Sequence, residues 1–345
     1  MRAMILAGGL STRLYPLTKQ VPKPLVPVAG KPNAEHLIRY LASFGYREIV
    51  INVHYLADAI LARLGDGSGF GVRLTYSHED ELLGSAGAVK KVQDFFAGEP
   101  SFVVVGCDDL TNLPLDDLLA FHRKNEAVAT IGLVERSEVE HYGVVVTDER
   151  GRITGFQEKP PRGTERSHAV NTGIYAFSPK IFDEIPPQAF YDFGKQVFPA
   201  LQERGAAFYG FDAGDAYWCD IGTVGEYWRA SDDVLGGRVT LPGMHATGVR
   251  KSTRVGKGVR IEGHVLFGHG VILGDDVTIA GPTSLGDAVT VDSGARVEHS
   301  VLWDGAHVGA NATLRHAIVG MNYTVPESAL LRDAVVANEE AAEAI

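Results

Sequence analysis

The sequence predicts an α/β domain with a mixed, mostly parallel sheet, followed by a parallel β-helix of hexapeptide repeats. Three observations point there. Strand-like apolar runs and helix-spaced segments alternate from the N-terminus at βαβ spacing. A large apolar residue recurs at every sixth position from 255 onward. Glycine, 40 of 345 residues, gathers in the first turn and in that repeating stretch.

Residues 3–6 read as a short buried strand. Residues 36–44 carry helical apolar spacing through Leu37, Ile38, Leu41 and Phe44. A strand at 48–53, a helix at 57–64, an alternating strand at 72–76, a helix at 86–96 and a buried strand at 102–105 follow. The segments 129–135, 143–147, 153–158 and 172–177 look antiparallel, which predicts a mixed sheet with an inserted region able to cover a ligand. The catalytic domain is expected over 1–236, a Gly/Pro/Thr-rich connector over 237–254, the β-helix over 255–336 and a tail over 337–345. The period runs through Val255, Ile261, Phe267, Leu273, Ile279, Leu285, Val291, Val297 and Trp303. After one slip it resumes at Val308 and Leu314, then Val319, Val325 and Leu331. A six-residue period suits neither a helix nor a plain strand. It suits a prism in which each hexad is one side and its apolar residue points inward.

A formal charge of −11 argues against a nucleic-acid coat or a binder of anionic membranes, and no apolar run approaches membrane-spanning length. Cys107 and Cys219 make no disulfide framework and read as small buried fillers. The N-terminal apolar run is too short for a signal sequence, so a cytoplasmic protein is expected. The twelve histidines show no zinc-binding spacing. His264, His269, His299, His307 and His316, in the repeats, read as solvated turn residues.

The first strand runs into Leu6-Ala7-Gly8-Gly9, then Ser11-Thr12-Arg13-Leu14 and Pro22-Lys23-Pro24-Leu25. Glycines directly after a strand let backbone N–H groups approach phosphate oxygens. The spacing is neither the dinucleotide fingerprint nor a Walker A loop. Arg13, and Lys23 held between two prolines, add cations of fixed direction. With Gly84-Ser85-Ala86-Gly87, Asp108, Tyr142-Gly143-Val144-Val145, Glu158-Lys159-Pro160, Asn171-Thr172-Gly173 and Trp218-Cys219-Asp220-Ile221-Gly222-Thr223, these elements resemble, in family order, the sugar-1-phosphate nucleotidyltransferases. Within that family the nearest likeness is to the mannose-1-phosphate guanylyltransferases. The resemblance implies a Rossmann-like catalytic domain and a left-handed β-helix. One departure stands out: Ser11 occupies a position where the family usually has glycine.

The reaction implied is attack by a sugar-1-phosphate oxygen on the α-phosphorus of an NTP, with release of pyrophosphate. No protein nucleophile is required; the protein must align two polyanions and neutralise charge. By resemblance, Arg13 and Lys23 act on the triphosphate, and Asp108 and Asp220 hold Mg²⁺, with Asp108 also catalytic. Leu6, Ala7, Gly8, Gly9, Ser11, Thr12, Glu79 and Gly84 are expected on the nucleotide. Gly143, Glu158, Lys159, Asn171, Gly173 and Lys195 are expected on the sugar phosphate. Strand alternation would turn Asp109 away from the target of Asp108.

In the resembled family the stretch His78-Glu79-Asp80-Glu81 passes the nucleobase, and pyrimidine-specific members tend to carry glutamine there. A carboxylate accepts guanine N1–H and the 2-amino group together, so Glu79, with Glu81 as fallback, points to GTP and, by resemblance, to mannose-1-phosphate. The alternatives are a UTP- or dTTP-dependent glucose-1-phosphate enzyme, a bifunctional enzyme with an acyltransferase β-helix, and a non-catalytic regulatory homologue. Exposed coil edges predict a homo-oligomer through the β-helix, and truncation near 240 is expected to reduce oligomer size and stability more than it harms the chemistry.

Overall fold

The computed structural model describes residues 1–243 and 248–338. Residues 244–247 of the expected connector and 339–345 of the expected tail lie outside the described residues. The chain forms two compact units, each drawn from separated stretches. One comprises Met1–Leu10 and Leu37–Asp220; the other comprises Ser11–His36 and the chain from Ile221 onward.

The first unit is built on a mixed sheet. Arg2–Leu6 lies at its centre, parallel to Glu48–Val53 on one side and Phe102–Gly106 on the other. Arg73–His78 extends it, parallel to Glu48–Val53. Ala3, Met4, Ile5 and Phe102 to Val105 are fully buried, as continuous apolar strands covered on both faces must be. Ala169–Phe177 then pairs antiparallel with Phe102–Gly106, through Tyr175↔Val104, and with Ala129–Glu135. The antiparallel segments are therefore strands of this same sheet, the mixed sheet expected. Beneath it lies an aromatic layer: Phe96 stacks on Phe102 with centroids 4.0 Å apart, and Phe177 stacks on Phe193 at 4.8 Å.

Two elements differ from expectation. The helix expected over 86–96 is Gly84–Lys91 followed by a 3-10 turn, Gln93–Phe96, whose tighter winding brings Phe96 onto Phe102. The strand expected over 172–177 begins at Ala169 and carries a bulge between Asn171 and Tyr175, with Gly173 at φ 78°.

In the second unit the hexads form the expected parallel β-helix. Its coils pair through ladders such as Leu273↔Val291 and Val291↔Val308, Ile279↔Val297 and Val297↔Leu314, and Phe267↔Leu285 and Leu285↔Leu302. The inward residues from Phe267 to Val297, and Val308, Leu314, Val319 and Val325, are buried. Val255 and Ile261 lie on the first coil and stay 49% and 36% exposed, because among the described residues no earlier coil covers them. Trp303 is a correction. The chain slips one residue before it, so Leu302 takes the interior position above Leu285 and the indole leaves the prism. Its match to the period was a coincidence of that slip.

His316 also departs from a solvated turn residue: its ring stacks on Trp228 at 4.1 Å, and Nδ1 lies 2.7 Å from Asp333. Helix Val224–Leu235, in the same unit, starts at the end of the Trp218–Thr223 motif, where the Thr223 hydroxyl accepts from Glu226 N–H. Among the described residues no helix is long and apolar enough to cross a membrane.

Candidate active site

The ends of the parallel strands set up the site in the first unit. Where Arg2–Leu6 stops, Ala7 N–H donates to Asn52 Oδ1 at 2.8 Å. Asn52 Nδ2 in turn donates to Glu79 Oε1 at 2.8 Å, and Leu83 N–H donates to Glu79 Oε2 at 3.1 Å. Glu79 is the first residue past strand Arg73–His78 and is only 5% exposed. It lines a cleft of about 230 Å³ together with Leu6, Gly8, Gly9, Gly84 and Phe190. Gly8 has to be glycine here: a Cβ would stand 2.8 Å from Asn52 Nδ2 and would project toward the carboxylate. Each Glu79 oxygen accepts one bond within the fold and keeps a second lone-pair direction for a ligand.

Gly84 lines the same cleft for a reason of its own. It has φ 72°, and a Cβ would lie 2.5 Å from the Tyr191 carbonyl oxygen. The N–H groups of Ala86 and Gly87 donate to that oxygen at 2.9 and 3.0 Å, so this helix start spends two of its free donors on the protein.

The second part of the site is a group of carboxylates. Cys107 N–H donates to Leu6 O at 2.9 Å, which holds the turn after Phe102–Gly106 beside the glycine turn. The chain then re-enters a short strand, Asp109–Thr111, antiparallel to Trp218–Asp220, with Asp109 opposite Asp220 and Leu110 opposite Cys219. A Cβ placed on Gly106 would meet Asp108 Oδ1 at 2.8 Å and Asp109 Oδ2 at 2.9 Å. Both carboxylates therefore lie beside Gly106, although alternation would part them. Alternation fails because Cys107 and Asp108 form a turn between two strands. Asp109 is buried and accepts from Gly106 N–H and Trp218 Nε1, each at 2.9 Å. Burial, with Asp108 and Asp220 nearby, pushes its carboxyl well above the usual range. Asp108 and Asp220 are half-buried, whereas Cys107 and Cys219 are buried.

This donor set is all oxygen, which suits a hard divalent cation such as Mg²⁺. Among the described residues, no group of three or more His, Cys, Asp or Glu is arranged to hold a metal by itself. An ion held by Asp108 and Asp220 would complete its shell with phosphate oxygens and water.

The third part gathers around Glu158. A Cβ on Gly143 would lie 3.3 Å from Glu158 Oε2, and one on Gly194 would lie 3.4 Å from it, so both glycines keep space open beside this carboxylate. Lys159 follows at φ 48°, with its N–H on Tyr142 O at 3.0 Å and Nζ 3.8 Å from Glu158 Oε1. Asn171 spans the bulge: its Oδ1 accepts from Gly173 N–H at 2.9 Å, and its Nδ2 donates to Tyr175 Oη at 3.2 Å. Gly173 brings the bulge against Asp109, since a Cβ there would lie 3.0 Å from Asp109 Oδ2. Lys195 is exposed, and its amide caps onto Asp192.

Arg13, Lys23, Ser11 and Thr12 belong to the other unit. Arg13 and Thr12 are exposed there, and Lys23 is only 8% exposed in a 3-10 turn, Lys23–Leu25. Ser11 sits at φ 54°, ψ 38°, with its carbonyl accepting from Thr18 Oγ1 at 2.8 Å. That left-handed geometry explains a glycine preference, and a serine in it costs on the order of 1 kcal/mol. Sequence reasoning passed over Asn52, which ties the glycine turn to Glu79; it quoted Trp218 only as part of a motif and set Asp109 aside on alternation. The dipeptide Asp108-Asp109 was the available signal for the last.

A family model described as nucleotidyl transferase matches residues 2–236, and one described as GlmU-like, C-terminal hexapeptide matches 266–333. A UTP–glucose-1-phosphate uridylyltransferase from Synechocystis is 38% identical, with 98% of this chain and 92% of that protein covered. A mannose-1-phosphate guanylyltransferase from Mycobacterium tuberculosis is 32% identical over 90% of this chain and 82% of its own length. Among solved structures, a putative glucose-1-phosphate thymidylyltransferase from Bacillus anthracis superimposes with a TM-score of 0.60 at 28% identity, covering 67% of this chain and 94% of that one. With uridylyl- and guanylyltransferases matching along nearly its whole length, the chain belongs to the sugar-1-phosphate nucleotidyltransferase family.

Proposed function

We propose that this enzyme joins GTP to mannose-1-phosphate, giving GDP-mannose and pyrophosphate. The observation that carries the base assignment is the Glu79 carboxylate, buried in the cleft beside the glycine turn with one lone-pair direction left on each oxygen. Guanine presents two adjacent donors to such a group. A uracil or thymine carbonyl would oppose acceptor to acceptor, which is costly in a dry pocket. A solved structure of HddC from Yersinia pseudotuberculosis complexed with GMP-PN, 27% identical with a TM-score of 0.59, shares this fold. The second reading is UTP with glucose-1-phosphate, favoured by the uridylyltransferase at 38% identity.

The sugar-phosphate oxygen is the nucleophile, so the protein's work is alignment and charge neutralisation. Arg13 and Lys23 supply cations to the phosphates. Lys159 faces the sugar phosphate, with Lys195 as a second contact. Glu158 and Asn171 accept and donate to sugar hydroxyls in the space left by Gly143. Asp108 and Asp220 would hold Mg²⁺, which supplies charge neutralisation on the transferring phosphoryl group.

Pyrophosphate release across a matrix of NTPs and sugar-1-phosphates tests the pairing. The expected result is a kcat/KM for GTP at least about tenfold above UTP and dTTP, narrowing in Glu79→Gln. A wild-type preference for UTP or dTTP overturns the guanine reading. An unchanged preference in Glu79→Gln overturns the residue assignment alone.

A homo-oligomer through the β-helix is the companion proposal, as is a cytoplasmic location. Ile272, next to the first coil, and Leu330, on the last one, stand 38% and 60% exposed on the prism. Light scattering should return a mass at least twice that of one chain at micromolar concentration; a monomer would count against it.

A further inference from the structure

The slip that expels Trp303 from the prism gives it another partner. Its ring meets Tyr227 edge-on, with centroids 6.3 Å apart at 87°, and its Nε1 donates to Tyr227 Oη at 2.9 Å. Tyr227, on helix Val224–Leu235, is fully buried, and its hydroxyl donates onward to Pro27 O at 2.6 Å. One phenol thus joins the β-helix to the segment that carries Lys23.

We infer that Tyr227 is a positioning residue through which the β-helix holds the lysine segment in its working conformation. The inference rests on the phosphate-binding role proposed for Lys23.

Packing alone would be served by phenylalanine. A buried hydroxyl is tolerated only when it is bonded, and this one uses both its donor and its acceptor capacity. Between Lys23 and Pro27 the backbone has no slack: Val26 N–H donates to Lys23 O at 3.1 Å, and Asn33 N–H donates to Val26 O at 3.0 Å. Pro27 then opens a two-residue ribbon, Pro27–Val28 against Lys31–Pro32. The ribbon is held from outside as well. His36 Nε2 lies 2.8 Å from Val28 O, and a Cβ on Gly30, at the ribbon's turn, would lie 3.2 Å from Leu266 Cδ2 of the β-helix. Fixing the Pro27 carbonyl therefore restrains the lysine backbone, one hydrogen bond away through the Val26 N–H on Lys23 O. On this inference a cut near 240, which takes away both Trp303 and Leu266, lowers activity as well as oligomer size and stability.

The test is steady-state kinetics of pyrophosphate release for Tyr227→Phe, in the wild-type background and in Lys23→Ala, with folding checked by circular dichroism. Tyr227→Phe is expected to lower kcat about five- to twentyfold in the wild type but less than about twofold in Lys23→Ala, because a residue acting through Lys23 has nothing left to position. Trp303→Phe, which leaves the donation to Pro27 in place, should lower kcat less than Tyr227→Phe does. An equal fold-loss in both backgrounds, or a loss of thermal stability with kcat unchanged, overturns the inference while leaving the lysine's role intact. Full activity in Lys23→Ala alone removes the premise, and the inference falls with it.

Discussion

Asp108→Asn and Asp220→Asn should each lower kcat on the order of a hundredfold or more, while the folded state is kept or slightly stabilised. Either substitution preserves shape and removes one negative charge from the neighbourhood of the buried Asp109. Asp109, opposite Asp220 in the ladder, is already pushed up by its two neighbours and by burial. Relieving that repulsion favours the fold; losing the charge leaves a divalent cation with one ligand fewer. Asp109→Asn should behave in the opposite way. Both its oxygens accept from donors, Gly106 N–H and Trp218 Nε1, so an amide would turn its own N–H₂ onto one of them. That mismatch should cost about 1–3 kcal/mol of stability. Urea midpoints and pyrophosphate release for the three variants, at several Mg²⁺ concentrations, separate the roles. If the Asp108 and Asp220 variants lose stability in proportion to activity, or if the wild type is fully active in excess chelator, the metal assignment fails.

Much of the architecture is legible because its causes are local or periodic. The strands Glu48–Val53, Ala129–Glu135, Gly143–Thr147 and Ile153–Glu158 are bounded by turn residues that any reading along the chain can find. The hexads are legible because a prism demands an apolar residue on every side. Trp303 shows the limit: a one-residue slip preserves apolarity while changing what the side chain faces, and only the Leu285↔Leu302 register reveals it. Asp109 shows a second limit. Alternation holds within a strand, and whether Asp108 continues a strand or turns depends on the distant partner Trp218–Asp220. The bulge at Asn171–Gly173 is of the same kind, since its geometry is set by pairing with Ala129–Glu135 and by the approach to Asp109. Glycine positions were visible in the sequence, but their reasons were not. Gly8 yields to Asn52, 44 residues later in the chain, and Gly84 yields to Tyr191. The family motif names candidate residues, and tertiary partners decide which of them stand together.

Lys23→Ala should reduce kcat by on the order of a hundredfold, with the KM values for both substrates changed by less than about threefold. The local structure explains why a mobile side chain can act as a directed charge. Pro22 is extended at ψ 147°, its carbonyl accepts from Leu25 N–H at 2.8 Å, and the Lys23 carbonyl accepts from Val26 N–H at 3.1 Å. Lys23 is only 8% exposed, so few side-chain conformations are open to it and its charge keeps one direction. Charge on the transferring phosphoryl group and the departing pyrophosphate grows as the reaction proceeds. A cation aimed at that charge therefore binds the transition state better than the ground state, and its loss appears in kcat. Lys23→Arg keeps the charge but exchanges a compact donor for a planar fork, so it should recover only part of the rate. A loss confined to KM would make Lys23 a ground-state binder of the triphosphate, and unchanged kinetics would deny it any part in the reaction.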